Sequence, residues 1–207
     1  INGFNPSNLV VTHSTGISAA ASSRNISGAF CINVNNAGNP VWGGKQQSAA
    51  GGVQSMAVAE VNASSAGSLV RSAAFSIPGA GSTSNHFNTI YDVAIDASDN
   101  YYFVGYFYTN TGGGPTSGYG VGFVCKLDSS FTQQWVRILY DTRPASVSIS
   151  SILLAKDGSL MVCGNAGEKG FSAKLDPDGG GTGTYGNLVY QSYSFNTETS
   201  VMAGTAG

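Results

Sequence analysis

The feature that most narrows what this chain can fold into is a weak internal repeat of strand, turn and strand. Residues 122–135 read GFVCKLDSSFTQQW and residues 29–42 read AFCINVNNAGNPVW; Phe123 lies 12 residues before Trp135, and Phe30 lies 12 before Trp42. FSAKLDPDGG from Phe171 repeats the Phe-x-x-Lys-Leu-Asp run that begins at Phe123. VAEVNASSAGSLV from Val58 keeps the strand, turn and strand but lacks the aromatics. A short repeat of this make-up predicts a stacked or radial all-β architecture.

Strand and turn signals are clearest from Ile90 to Tyr193. YDVAID (91–96) alternates, ASDN (97–100) supplies turn residues, and YYFVGYFY (101–108) is a long aromatic strand. VGFVCKLD (121–128) and QQWVRILY (133–140) form a second hairpin around Ser129–Thr132. The order then returns as SISSILLA (148–155), the turn Lys156-Asp157-Gly158, SLMVCG (159–164), FSAKLD (171–176) and NLVYQSY (187–193). Gly105 and Gly164 align at a shift of 59, and Phe123 and Phe171 at 48. Four antiparallel strands per unit of roughly 50 residues is propeller-blade arithmetic.

The run DVAIDASDNYYFVGY, then GFVCKLDSSFTQQWVRIL, then KLDPDGG with NLVYQSY resembles a β-propeller repeat family of the pattern DxAVDxxGNxYVTGxT…AFVAKLDxxGxxxW. Such repeats occur in large bacterial surface proteins and in phage virion and tail proteins. The resemblance covers residues 86–195 well and 28–76 only as isolated hairpins. It implies an all-β fold of antiparallel, propeller-like four-stranded units, with a β-sandwich as the alternative. The expected segments are degenerate repeats over 1–83, units at 84–144 and 145–195, and a further strand or linker at 196–207.

On this reading Phe30, Phe123, Phe171 and Trp135 are buried markers of one structural position, and Trp42 fills a space between sheets. Phe123, Cys125 and Leu127 share one strand face, Val124 and Lys126 the other. Asp128, Asp176, Asn35 and Asn62 stand where strands give way to turns and can accept bonds from turn amides. The three cysteines, Cys31, Cys125 and Cys163, match no disulfide framework or zinc spacing and read as buried thiols.

Charged residues make up 10% of the chain, against about 25% in ordinary soluble domains, and the net charge is −2. No basic stripe for nucleic acid or anionic membrane appears, and no apolar run reaches the ~20 residues that span a bilayer. The start at Ile1 predicts a processed product or a piece of a longer polypeptide, and the linker-like GTAG end (204–207) agrees.

Chemistry-bearing candidates are sparse. Asp176-Pro177-Asp178-Gly179 resembles the first half of a calcium loop, but the next acid is Glu198; a turn is the better reading, and Asp96 with Asp99 has the same weakness. His13 and His86 lie in Ser- and Asn-rich stretches without a nearby acid. No GxSxG elbow occurs, and AKDGSLMVCG lacks the Asp-box order of sialidase-like propellers. Strand 101–108 reads as core in preference to a sugar platform. Loops 109–120 and 178–187 are the contact candidates, on opposite faces.

The expectation is a non-enzymatic structural or adhesion module of a larger exposed assembly, such as a phage virion or tail, with no catalytic, metal or cofactor residues. The alternative is a receptor- or carbohydrate-binding propeller of a secreted surface protein. Expected partners are other structural proteins, copies of the chain, or a host receptor or glycan, at the virion surface or outside the cell. TSVMA (199–203) should pair with NLVVT (8–12) or with a neighbouring copy.

Overall fold

The computed structural model describes residues 16–19, 25–47, 54–63, 68–78, 87–108, 118–198 and 202–205. These form antiparallel strands and contain no helix. After β1 (Gly16–Ala19) comes a four-stranded meander of β2 (Asn25–Val34), β3 (Pro40–Gln47), β4 (Gln54–Val61) and β5 (Leu69–Ser76). A second meander follows, of β6 (Phe87–Ile95), β7 (Tyr101–Tyr108), β8 (Val121–Leu127) and β9 (Gln133–Asp141). The third unit is β10 (Val147–Leu154), β11 (Leu160–Ala166) and β12 (Lys169–Leu175). Then come β13 (Gly183–Tyr185), β14 (Leu188–Tyr193), β15 (Asn196–Glu198) and β16 (Met202–Thr205).

The sheets stack in three layers. One face of the second unit packs on the first sheet: Val41, Met56, Val58 and Phe75 meet Phe103, Phe107, Phe123 and Leu127 in one buried cluster. Its opposite face packs on the third unit through Tyr102, Val104, Val124, Ile149, Leu160 and Val162. The middle sheet is therefore covered on both sides, which is why β7 is apolar at every position except Gly105. Tyr101, Phe103 and Phe107 serve one interface, Tyr102 and Val104 the other. Beyond the third unit, Ser151, Leu153, Cys163, Ser172 and Lys174 are exposed, and no further layer covers them among the described residues. Among the described residues the layers form no closed ring, and the architecture is of the sandwich kind.

The repeat lies in a register that the Phe–Trp spacing does not reveal. The first strand of each unit carries a β-bulge, at Phe30, Tyr91 and Ser150. Each bulge faces a glycine on the next strand, at Gly44, Gly105 and Gly164. A Cβ there would lie 2.0 Å from the Gly28 carbonyl oxygen, 2.0 Å from that of Thr89 and 1.9 Å from that of Ser148. Only glycine fits where a bulge pushes a carbonyl toward its partner strand. The following turns match too: Asn35, Asp96 and Ala155 each donate their N–H to a carbonyl four residues on, at Asn39, Asn100 and Ser159.

Four expectations are corrected by this register. Phe30 corresponds to Tyr91 and not to Phe123; as a bulge residue it is 48% exposed, whereas Phe123 is 1% exposed. Residues 28–76 hold a full meander and not isolated hairpins, because β3 and β4 fit between Pro40 and Val61. Trp135 and Phe171 are half-buried, since both lie where the third sheet runs out. Of the cysteines only Cys125 is buried; Cys31 is half-buried and Cys163 exposed.

NLVYQSY does not complete the third unit. β14 pairs antiparallel with β9, Tyr190 opposite Leu139, and β13 pairs with the far edge of β14. A tie across the layers explains this. The Nε of Arg137 on β9 donates to the Gly179 carbonyl at 2.6 Å, and the Thr142 N–H donates to the Asn187 carbonyl at 2.9 Å, so both ends of the connection are held to the middle sheet. Phe195 then plugs the first interface beside Phe123 and Phe107. β15 adds to β5, with the Ser76 hydroxyl donating to Glu198 at 2.5 Å. Finally β16 pairs with β1, so the expected closure of the C-terminal strand engages Gly16–Ala19; NLVVT (8–12) lies outside the described residues.

Candidate binding cleft

Among the described residues the fourth-strand position of the third unit is open, and a cleft of about 510 Å³ runs beside it. β12 forms one wall, through Phe171, Ala173 and Leu175, whose side chains point toward the middle sheet. Leu139, Leu188 and Tyr190 form the floor; the 176–181 connection and Tyr185 bound the far side. Tyr190 is 4% exposed and its hydroxyl has no hydrogen-bond partner among the described residues. Burial pushes its pKa up to about 12, so the phenol stays a neutral O–H donor. An apolar cleft with one shielded donor is suited to holding an uncharged group rather than to acid–base work.

The acids that could do chemistry are occupied elsewhere. Asp176 Oδ1 accepts the Asp178 N–H at 3.0 Å, and the Gly179 N–H donates to the Asp176 carbonyl at 2.9 Å, the geometry of a turn. Asp96 accepts the N–H groups of Ser98 and Asn100, while Asp99 accepts both the N–H and the side-chain amide of Asn36 from the neighbouring sheet. Asp128 and Asn35 accept turn amides in the same way, from Thr132 and Asn39. Among the described residues no three of His, Cys, Asp and Glu gather as a metal-binding group. His13, His86 and residues 109–117 of the first contact loop lie outside the described residues.

Composition gave no sign of two buried charges. Glu60, 1% exposed, lies 2.7 Å from the Arg71 Nε and accepts the side-chain amides of Asn35 and Asn39. Arg71 also donates to the Ser129 carbonyl and covers the ring of Phe131, tying the first sheet to the second. Asp141 is equally buried, and hydrogen bonds from the Arg143 guanidinium and N–H hold its pKa down to about 2. Both acids pin sheet ends. The Glu60–Arg71 spacing across a strand–turn–strand is the one signal that could have found the first pair. Desolvation pushes the Cys31 thiol up to about 12 and the Cys125 thiol further still, so neither is a ready thiolate.

No protein-family model matches this chain, and no curated protein sequence matches it.

Proposed function

We propose that this chain is a non-enzymatic structural or adhesion module of a larger exposed assembly, of the phage virion or tail kind. The observation that supports this best is the use made of its few charges. Asp96, Asp128, Asp141, Asp157 and Glu60 bind turn amides, a neighbouring cation or the adjoining sheet, which makes them parts of the scaffold. The surface left for work is a sheet edge and an apolar cleft, a surface that binds chains rather than transforms substrates. Its partners on this reading are other structural proteins or further copies of the chain.

A second reading, glycan or receptor binding, draws on Tyr185, which stands 59% exposed at the cleft rim. Two measurements on the natural source separate the readings: mass-spectrometric stoichiometry of purified particles with antibody-gold labelling, and a glycan array with the isolated chain. Fixed stoichiometry with surface labelling is expected, together with a blank array. Absence from every particle fraction, or turnover of any substrate, would overturn the proposal.

A further inference from the structure

We infer that the β12 edge and its cleft receive an extended peptide strand from a partner chain, laid antiparallel to β12 with alternate apolar side chains pointing into the cleft. An open edge alone needs no occupant, so the inference rests on three observations taken together. First, the units at the other two layers show what belongs here: β5 completes the first meander and β9 the second, while β12 has no neighbour on its outer edge among the described residues. Second, the wall beside that edge is hollow and apolar, about 510 Å³ in volume. Third, the buried Tyr190 hydroxyl lines that hollow without a partner among the described residues. A polar side chain of an inserted strand that points into the cleft satisfies it.

The repeat also sets register and chemistry. β8 and β12 share the Phe-x-x-Lys-Leu-Asp run, and on β8 the paired strand places Ile138 opposite Phe123 and Val136 opposite Cys125. Transferred to β12, these positions face Phe171 and Ala173, so the incoming strand carries β-branched or similar residues at both. Alternate side chains on a strand point to the same face, so two such residues spaced by one fill the cleft while their neighbours face solvent. A whole second copy docking edge to edge would have to clear the β13–β14 hairpin, whose Tyr185, Leu188 and Tyr190 line the same cleft. Lys169 and Lys174 on β12 act in the same direction, since edge lysines oppose indiscriminate sheet pairing. The site therefore selects a single strand.

This inference extends the assembly reading by naming the partner, and it can fail while that reading stands, because its test uses purified protein alone. The probe is a labelled peptide of residues 133–141, QQWVRILYD, with a scrambled peptide as control. Fluorescence anisotropy should show saturable binding of the first peptide to the 207-residue chain and not of the second. Hydrogen exchange should slow at β12 amides on binding and stay unchanged on β10. Ala173→Glu places a charge in the apolar cleft and should weaken binding by about tenfold or more, with circular dichroism checking the fold. Three results would overturn the inference: no binding at about 1 mM peptide, the weak end of specific affinity; equal binding of the scrambled peptide; or binding without protection of β12. If the variant fails to fold, the exchange measurement on the unaltered chain decides alone. A small apolar dye that fills the cleft and cannot be displaced by the peptide would make it a small-molecule pocket instead, which also overturns it.

Discussion

Gly44, Gly105 and Gly164 perform one task three times, and they tie the sequence to the layered structure more tightly than any aromatic does. Each faces a bulge, and each would drive a Cβ into a backbone carbonyl that has no room to retreat. Gly105 is also pressed by the Phe123 ring, 2.9 Å from that imagined Cβ. Gly105→Ala should therefore destabilise the chain by about 1–3 kcal/mol or more, as overpacking in a closed core does. Gly38→Ala, whose Cβ would meet nothing within 4 Å, should act only through its φ of +81°. Urea unfolding of the two variants checks the contrast, and a neutral Gly105→Ala would mean the bulge can relax. The 59-residue shift between Gly105 and Gly164 was legible in the sequence. Their partner Gly44 was not, because the Phe–Trp spacing points to a different alignment of the first unit.

At the scale of elements, strand identity was legible wherever both ends carried turn residues. β6 to β12 all appear near the expected positions, and the faces of β8 divide as alternation requires, with Phe123, Cys125 and Leu127 in one cluster and Val124 in the other. Equivalence between strands was harder to read. Phe30 and Phe123 look alike in sequence, but one occupies a bulge on an outer strand and the other a covered central strand. Phe123→Ala should cost about 3–5 kcal/mol, the range for a buried aromatic. Phe30→Ala should cost well under that, because its ring rests on Gly28 and beneath Lys45 near the surface. Equal costs by chemical denaturation would restore the sequence alignment and undo the structural one. The cleft was not legible at all. It arises from β14 choosing one edge over another, and no local pattern in NLVYQSY encodes that choice.

For the whole molecule, the last strands bind distant parts together. β15 covers the outer edge of β5 and β16 pairs with β1 in a separate two-stranded sheet, so the C-terminal segment ties back to two strands of the first half of the chain. Deleting residues 196–207 uncovers β5, removes the Ser76–Glu198 bond and leaves β1 unpaired. The melting temperature should fall by at least about 2 °C, the smallest shift that one to two kcal/mol produces in a chain of this size. An unchanged melting curve in differential scanning calorimetry would show that these short strands add nothing. The sequence by itself determined the antiparallel all-β class, the hairpin turns and the inward faces of the central strands, because each depends on residues within one hairpin's reach. Only the tertiary structure decided the three-layer stack, the pairing of β14 with β9 and the opening beside β12. Those outcomes come from competition between sheet edges far apart in the chain, and a link such as Arg137 to Gly179 settles them only once the layers have met.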